Sequence, residues 1–483
     1  MIDLRPLGYV TGLLVTALGA TMLVPMLVDL ADGNGQWFVF FESAVLTSLV
    51  GGLMAVACSN GVGERLTIQQ TFILTTGVWL ALPIFGAIPF LLGATDLRFV
   101  DAMFEAMSGL TTTGSTVLSD LETLPRGILL WRGMLQWFGG IGIIVVAMVF
   151  LPELRIGGMQ IFRSEGFDTF GKILPRATQI STSISAIYFT LTLICAVAYF
   201  LAGMSVFDAI VHAMTTIATG GFSNYDQSFA TFAPAAEYIG AVFMILAALP
   251  FVRYVQFTTG TARPLLQDSQ IRAFFLVATV LVILVTLWLL VAESGAGEES
   301  FRKSLFNVVS ILTGTGYSSA NYAAWGGFPI VAFFFMGLIG GCAGSTSCSI
   351  KVFRFQILFA SIRAQVMRIH SPHGVFTPRY DGRTVDEDVI SSVMAFFVLF
   401  VVSLGVISVA LSMTGLDVTT SVSGATATLA NIGPGLGDVI GPAGNFAPLS
   451  DSAKWILTAA MLVGRLELMV VYALLTVHFW RTS

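Results

Sequence analysis

Charged residues are scarce in this chain of 483 residues. Asp, Glu, Lys and Arg make up 11% of it, hydrophobic residues make up 55%, and the mean hydropathy is +0.86. This composition excludes a soluble globular protein and predicts a polytopic membrane protein without a sizeable soluble domain. The net charge of -5 is small, so it excludes no further class.

Cysteine and histidine are also few, with four residues of each type. The cysteines lie in or beside apolar stretches without the spacing of a zinc site, and we expect buried thiols: Cys58, Cys195, Cys342 and Cys348. Apart from His370 and His373, the histidines form no cluster. The sequence contains no phosphate-binding loop and no pairing of a nucleophile with a base, so we predict no catalytic residues and no enzyme.

Ten apolar segments are long enough to cross about 30 Å of hydrocarbon. They run over residues 7–29, 37–58, 70–93, 127–151, 181–203, 235–259, 272–292, 328–362, 389–414 and 453–479. Four shorter segments, 101–113, 207–219, 303–315 and 421–432, lie between consecutive long ones and are too short to cross. The sequence therefore predicts an all-α polytopic membrane protein with four direct repeats of helix, pore helix, filter and helix around one pore.

These repeats define the predicted domains. An N-terminal transmembrane hairpin covers 1–66, and the four pore repeats cover 67–155, 175–262, 268–368 and 385–483. The third repeat has an interrupted second helix. The period of about one hundred residues is the organising unit of the chain.

Each short segment ends in a stretch that contains glycine, and the four stretches align without gaps. The first aligned level is Thr112, Thr219, Gly314 and Asn431; the second is Thr113, Gly220, Thr315 and Ile432; the third is Gly114, Gly221, Gly316 and Gly433. Glycine permits the backbone angles with which successive carbonyl groups line one axis, so we predict an ion-selectivity filter that binds K⁺. No carboxylate stands at any level, which disfavours a sodium or calcium channel with a carboxylate ring. Ordinary turns between helices are the alternative for any single copy.

Lys and Arg are distributed unequally between the two sides of the predicted topology. One side carries sixteen of them and the other six. The positive-inside rule makes the richer side cytoplasmic, which places both termini inside and lets every filter segment enter from outside. Acidic residues in the outer loops would raise the local cation concentration.

Two features within the apolar segments suggest functional roles. Segment 328–362 is too long for one helix and is interrupted by residues 340–347, where irregular backbone is tolerated only if it lines a cavity or is buried in protein. A surface of small residues for helix packing is the alternative. Arg465 lies near the middle of segment 453–479, where a cation is costly and a functional role is the first hypothesis, with a structural salt bridge as the alternative. Glu467 should face another side of the same helix and is a poor partner for it.

Several polar residues belong to the pore helices or follow them. We expect Asp101 and Asp208 to be N-caps. Glu105, His212 and Asn307 share one position in the repeats and are candidates for tying the filter together. The sequence offers Arg132 and Trp137, just after the first filter, for the same purpose.

The chain resembles the Trk/Ktr/HKT potassium transporters. The resemblance covers nearly the whole chain, and its N-terminal hairpin makes it most similar to the bacterial TrkH branch. It rests on the ten segments with four pore insertions and on residues 109–114, 135–142, 340–346, 431–437 and 464–467.

The resemblance implies a potassium-uptake pore in the bacterial inner membrane, with K⁺ as the bound and transported ion and no cofactor in this chain. It implies a homodimer with one pore per subunit, surrounded by membrane lipid, and a cytoplasmic ring of nucleotide-binding TrkA-type subunits as partner; no nucleic acid is expected. The loops with Arg155 to Arg176 and Arg354 to Arg383 are where that ring could dock. Gly114 stands where a serine accompanies sodium selectivity in plant relatives.

The family's gate is also implied by the resemblance. An intramembrane loop blocks conduction below the filter, and an arginine that matches Arg465 points into the pore beside it. The matching loop residues are Gly340, Gly341, Cys342, Ala343, Gly344, Ser345 and Thr346. The chain departs from the family at Ser347, Cys348 and Ser349, where relatives usually have glycines.

A coupled carrier, which moves K⁺ together with H⁺ or Na⁺, is the alternative function. Such a carrier would need paired intramembrane carboxylates or inverted repeats. The chain has direct repeats, and Glu467 is the one carboxylate that we expect deep in a span.

Overall fold

A computed structural model describes residues 2–61, 66–149, 177–292 and 297–481. Over these residues the α-helices are α1 (Arg5–Thr21), α2 (Leu23–Ala31), α3 (Trp37–Cys58), α4 (Ile68–Gly86), α5 (Ile88–Leu92), α6 (Phe99–Leu110), α7 (Arg126–Val149), α8 (Ala177–Leu201), α9 (Val206–Ile217), α10 (Pro234–Ala248), α11 (Phe251–Thr258), α12 (Arg263–Gln267), α13 (Ser269–Ala292), α14 (Gly297–Thr313), α15 (Gly327–Leu338), α16 (Val352–His370), α17 (Glu387–Ser412), α18 (Val418–Leu429), α19 (Gly437–Ile440), α20 (Asp451–Arg465), α21 (Met469–Leu475) and α22 (Val477–Arg481). A small antiparallel hairpin joins β1 (Arg379–Tyr380) to β2 (Arg383–Thr384).

The long apolar helices confirm the predicted all-α polytopic fold. In the described part of the chain, seven segments are long and apolar enough to span a membrane: Arg5–Ala31, Trp37–Cys58, Ile68–Leu92, Arg126–Val145, Ser181–Leu201, Ser269–Ala292 and Glu387–Ser412. Two bent pairs, α10 with α11 and α20 with α21, each qualify as one further span. The predicted segment 328–362 corresponds to α15 and α16 with an irregular stretch between them.

The expectation that Glu467 lies on the same helix as Arg465 is wrong, because segment 453–479 forms two helices. Helix α20 ends at Arg465, and the chain turns by 111° before α21 begins. At the turn Glu467 has φ 57°, a conformation that costs about 1–3 kcal/mol for a residue with a side chain. Leu466 and Leu468 on either side are buried. The break therefore depends on tertiary contacts, which helix propensity does not encode.

Segment 235–259 is also divided into two helices, and here a local signal exists. Helices α10 and α11 meet at Leu249 and Pro250 with a bend of 89°. Proline lacks the N–H that would continue the helix, and the residue before it favours extended backbone; Leu249 has ψ 157°. The proline leaves carbonyl groups at the end of α10 without helical donors.

Helices α1 and α3 form the N-terminal hairpin and approach closely. A Cβ on Gly12 would lie 2.6 Å from the backbone nitrogen of Ala55 and 2.7 Å from the carbonyl oxygen of Gly51. Small residues allow such contact between membrane helices, where dispersion forces supply most of the attraction. The hairpin packs against α4 and α7, outside the four short helices.

The four short helices α6, α9, α14 and α18 occupy the centre of the molecule. Every residue of α6 from Val100 to Leu110 is buried. A helix of 12 residues, the length of α6, α9 and α18, spans about 18 Å, which is too short to cross a bilayer. These four helices are the predicted pore helices.

Candidate functional site

All four pore helices end in the same hydrogen-bonded turn. In the first repeat, the N–H of Thr112 donates to Gly109 O at 2.9 Å and that of Thr113 to Ser108 O at 2.9 Å. The same pair of bonds, three and five residues back, ends the other three helices with distances of 2.8–3.2 Å. This is the Schellman arrangement, which requires a positive φ at the residue after the cap. The fourth copy, which has Asn431 and Ile432 at its first two levels, therefore keeps the backbone of the other three.

The φ angles of the filter repeat in register. At the first level φ is 51° for Thr112, 49° for Thr219, 74° for Gly314 and 51° for Asn431. At the third level it is 85°, 78°, 84° and 108° for Gly114, Gly221, Gly316 and Gly433. Residues with side chains occur at the first level, because the Schellman hydrogen bonds compensate for the backbone strain of a positive φ there. At the third level every repeat has glycine.

The third-level glycines and second-level carbonyl groups form a closed ring. A Cβ on Gly114 would overlap the carbonyl oxygen of Gly220, one on Gly221 that of Thr315, and one on Gly316 that of Ile432. A Cβ on Gly433 would lie 2.8 Å from Thr113 O. Each repeat thus contacts the next along the chain, and the fourth contacts the first.

One cavity of about 560 Å³ contacts all four third-level glycines. We call it the vestibule. Asp226, Asp438 and Arg132 also line it. The filter therefore opens into a space large enough for several water molecules and hydrated ions.

The side chains that depart from Thr and Gly in the fourth repeat point into protein. The amide of Asn431 donates to Thr113 Oγ1 at 2.8 Å and to Met461 O at 2.9 Å. The side chain of Ile432 belongs to an apolar cluster with Ile311. Both residues contribute backbone to the filter, while their side chains pack against the surrounding protein.

A polar side chain in each pore helix holds the strand that follows the filter. Glu105 accepts from the N–H of Val117 at 3.0 Å, His212 Nε2 lies 3.0 Å from Ser223 Oγ, and Asn307 exchanges hydrogen bonds with Ser319. In the fourth repeat the aligned position is Gly424, and the preceding Ser423 instead bonds the N–H and carbonyl of Leu436 at 3.0 and 3.3 Å. The expected ties at Glu105, His212 and Asn307 are confirmed, and Ser423 is a fourth that the sequence alignment did not reveal.

Arg132 joins the first two repeats. Its Nε donates to Glu105 at 2.8 Å, in an ion pair whose side chains are 2% and 0% exposed. Its Nη1 donates to Ser223 O at 2.8 Å, and its guanidinium lies 4.2 Å from the centre of the Phe222 ring. Trp137, in contrast, bonds Thr192 in α8 and does not reach the filter.

Gln136 is a filter contact that the sequence analysis did not single out. Its Nε2 donates to Gly220 O at 2.6 Å, and its Oε1 accepts from the N–H of Phe222 at 3.0 Å. The signal that could have found it is a glutamine within an apolar helix. Gln136 is fully buried, and burying its amide in a membrane protein is costly unless the amide has hydrogen-bond partners. Gln136 thus lets the first repeat position the filter of the second.

Asp101 and Asp208 are not N-caps, contrary to the prediction. They occupy the first turns of α6 and α9, whose N-cap residues are Arg98 and Ser205. Asp101 pairs with Arg98 and Lys454, which links the first repeat to the fourth. The side chain that does cap α18 is Asp417, and hydrogen bonds from Thr420 lower the pKa of its carboxyl.

The interrupted stretch between α15 and α16, residues 339–351, is a buried loop with a closed neck. The N–H of Gly340 donates to Ile350 O at 2.9 Å, and that of Val352 donates to Gly341 O at 3.1 Å. The predicted gating residues of this loop are all buried: Gly340, Gly341, Cys342, Ala343, Gly344, Ser345 and Thr346.

The loop docks into the break between α10 and α11. The N–H of Cys342 donates to Ala248 O at 3.0 Å, and Thr346 Oγ1 donates to Ala247 O at 3.0 Å. In return, the N–H of Phe251 donates to Gly344 O at 3.0 Å. The helix break thus supplies carbonyl groups that need donors, and the loop satisfies them.

The far end of the loop lies directly against the filter. The N–H of Ser349 donates to Ala430 O at 3.1 Å, at the end of the fourth pore helix. Cys348 Sγ lies 3.7 Å from Thr112 Oγ1. A Cβ on Gly314 would lie 3.5 Å from the backbone nitrogen of Cys348. Residues of the loop therefore contact the first level of the filter at Thr112 and Gly314 and, in the fourth repeat, Ala430 just before that level.

Arg465 points at this loop from the end of α20. Its Nη2 donates to Gly139 O at 3.0 Å, and its Nη1 contacts Cys348 Sγ and lies 3.5 Å from Thr346 O. The residue is 3% exposed. Among the described residues no carboxylate pairs with it, so the alternative of a structural salt bridge is not supported. Glu467 pairs with Arg354 at 2.5 Å instead.

A cavity of about 40 Å³ lies beside the loop. Cys348, Lys351, Arg465 and Glu467 are among its lining residues. It has room for a few water molecules only. In the described residues no group of three or more His, Cys, Asp and Glu side chains could hold a metal ion.

Comparisons with known proteins agree with this geometry. Residues 36–479 match the family TrkH, described as a cation transport protein. The chain belongs to the TrkH family. It is similar to the Trk system potassium uptake protein TrkI of Halomonas elongata, with 42% identity over 99% of this chain and 97% of that protein. It is also similar to the Trk system potassium uptake protein TrkH of Vibrio parahaemolyticus, with 38% identity over 99% of both chains.

A solved structure of a family member shows that the fold is shared as well. The crystal structure of the potassium transporter TrkH from Vibrio parahaemolyticus superposes with a TM-score of 0.91 at 35% identity, covering 99% of this chain and 100% of that one. The TrkH family is a transport family and not an enzyme family.

Proposed function

We propose that this chain is the K⁺-conducting subunit of a Trk-type uptake system. The observation that carries the proposal is the closed ring in which each third-level glycine contacts a carbonyl group of the next repeat. Four backbone strands with the same alternating φ values can present stacked rings of oxygens, as a dehydrated K⁺ ion requires. The names of the relatives, Trk system potassium uptake proteins, support the choice of ion.

The filter residues proposed to bind K⁺ are those of the three levels. They are Thr112, Thr113, Gly114, Thr219, Gly220, Gly221, Gly314, Thr315, Gly316, Asn431, Ile432 and Gly433. Their rings are unequal, because Gly220 O already accepts from Gln136 and Gly433 O accepts from Ser115 Oγ at 2.7 Å. We therefore expect K⁺ to be preferred over Na⁺ with Rb⁺ accepted, and not the strictest selectivity.

The loop of residues 339–351 and Arg465 are the proposed gate. The loop runs from the break of the second repeat to the pore helix of the fourth, and Cys348 lies against the filter. The guanidinium of Arg465 adds a positive charge that opposes a cation at this point. An open pore would require the loop to leave its bonds to Ala247, Ala248 and Ala430 and Arg465 to turn aside.

The setting of the pore is part of the same proposal. The excess of Lys and Arg on one side supports cytoplasmic termini in a bacterial inner membrane. The resemblance supports a homodimer and a TrkA-type nucleotide-binding ring on the cytoplasmic side. Helix α16 and the β1–β2 hairpin belong to one proposed docking loop; the other, Arg155 to Arg176, lies outside the described residues. The repeat limits 67–155, 175–262, 268–368 and 385–483 also stay proposals.

Ion flux into proteoliposomes that contain this protein alone tests the proposal. K⁺, Rb⁺ and Na⁺ are compared, each with and without a proton gradient or a sodium gradient. Passive K⁺ flux that exceeds Na⁺ flux and does not respond to either gradient is expected. Flux that depends strictly on a proton or sodium gradient would replace the channel with the coupled carrier.

A further inference from the structure

Cys348 occupies the point where the loop, the filter and the pore arginine meet. The loop holds it in place on both sides, because Thr346 bonds Ala247 and Ser349 bonds Ala430. The residue is 7% exposed, and its thiol lines the small cavity beside Arg465. A glycine at this position would have no side chain with which to reach either neighbour.

The thiol has two polar contacts that cross between structural units. Its Sγ lies 3.7 Å from Thr112 Oγ1, in the first level of the filter. Arg465 Nη1 donates to the same sulfur from the end of α20. One side chain thus connects the first repeat, the loop of the third and the arginine of the fourth.

The bond to sulfur is a large part of what holds the guanidinium. Nη2 is anchored by Gly139 O at 3.0 Å, whereas Nη1 has Thr346 O only at the limit of 3.5 Å. The buried Nε has no hydrogen-bond partner among the described residues. Once the sulfur is removed, the bond from Nη2 is the one strong hydrogen bond that remains to the guanidinium. The group can then turn more easily, because fewer hydrogen bonds fix its orientation.

We propose that Cys348 is a positioning residue of the gate. Its thiol keeps Arg465 turned toward the pore, and so favours the closed state. Opening breaks both sulfur contacts together, since the loop cannot leave the filter while the arginine remains bonded to it. This inference rests on the proposed function, because it assigns a role within the same gate.

The test compares Cys348→Ala, Cys348→Ser and Arg465→Ala with the double variant Cys348→Ala/Arg465→Ala in proteoliposomes. Losing one hydrogen bond of ordinary net strength, as expected for a weak sulfur acceptor, changes an equilibrium constant about fivefold. We therefore expect C348A to raise passive K⁺ flux about fivefold with an unchanged ratio of K⁺ to Na⁺. C348S, which keeps an acceptor for the guanidinium, should stay within about twofold of the parent protein.

The double variant separates positioning from a general loosening of the loop. If the thiol acts through the arginine, C348A adds nothing to the flux of R465A. Cys195→Ala, a buried cysteine of α8 outside the pore, serves as the matched control and should leave flux unchanged. Thermal unfolding of each detergent-purified variant checks that the proteins are folded.

Three outcomes would overturn the inference in distinguishable ways. If R465A raises K⁺ flux while C348A conducts like the parent protein, the positioning role of Cys348 is wrong and the proposed function stands. The same holds if the effects of C348A and R465A multiply. If the folded parent protein and every folded variant lack K⁺ flux, the proposed function itself fails, and the role of Cys348 fails with it.

Discussion

Replacing Gly316 by alanine should destroy ion selection while leaving the rest of the molecule folded. Gly316 has φ 84°, and a Cβ there would overlap the carbonyl oxygen of Ile432 and lie 2.9 Å from Pro434 Cδ. The neighbouring strand would have to move by about 1.5 Å to restore ordinary contact distances. A displacement of that size takes the Ile432 oxygen out of its ring.

The energetic cost has two parts. A positive φ at alanine costs about 1–2 kcal/mol, and forcing an extra methyl group into a packed site costs about 1–3 kcal/mol. Together about 2–5 kcal/mol act against the native filter, which lowers its population relative to a distorted one about 30-fold or more. We expect the ratio of K⁺ to Na⁺ flux to fall by at least tenfold.

Flux in proteoliposomes and reversal potentials in planar bilayers measure this effect. Gly405→Ala is the matched control, because Gly405 lies in α17 with nothing within 4 Å of a Cβ and should keep the parent selectivity. Thermal unfolding distinguishes a distorted filter from a misfolded protein. A folded G316A protein with the parent ratio of K⁺ to Na⁺ would refute the role assigned to the glycine ring.

Three further changes test the supports of the filter and the gate. Glu105→Ala should lower the free energy of unfolding by about 3–5 kcal/mol, because the buried charge of Arg132 loses its partner. Denaturation in detergent measures this loss of stability. The loss should be smaller when Arg132→Met is added, because no unpaired charge then remains. Gln136→Leu removes the donor to Gly220 O and should change the ratio of K⁺ to Na⁺ flux about three- to tenfold without abolishing flux, whereas an unchanged ratio would show that the amide only fills space. Arg465→Ala should raise K⁺ flux, and normal folding with unchanged or lower flux would contradict its role in the gate.

The fold was largely predictable because its signals are local. Apolar length gave the segments that cross the membrane, and the glycine of each short segment marked the filter, since only glycine fits the third level in all four repeats. The position shared by Glu105, His212 and Asn307 predicted a common structural role. In each of these cases the residue type itself carries the geometric requirement.

The contacts between repeats were not predictable in the same way. Nothing near Gln136 in sequence indicates that it bonds Gly220, and nothing near Arg465 indicates that the last helix ends there. The break at Glu467 is compensated by burial of its neighbours and by the ion pair with Arg354, both of which depend on the assembled fold. Pro250 is the exception, because its missing N–H was a readable signal for the bend that receives the loop.

The order in which the ring closes has a consequence for how the chain is made. Asn431 bonds Thr113 across 318 residues, so the last contact joins the first filter strand to the last. At typical rates of synthesis this separation corresponds to roughly 15–60 s, during which three pore segments reside in the membrane without the fourth. The polar backbone of the first three filter strands must meanwhile be kept out of contact with lipid by water or by the insertion machinery. A chain that ends before the fourth repeat therefore leaves the first and third filter strands each without one neighbouring strand. The pore is completed late, by contacts between residues that are far apart in the sequence.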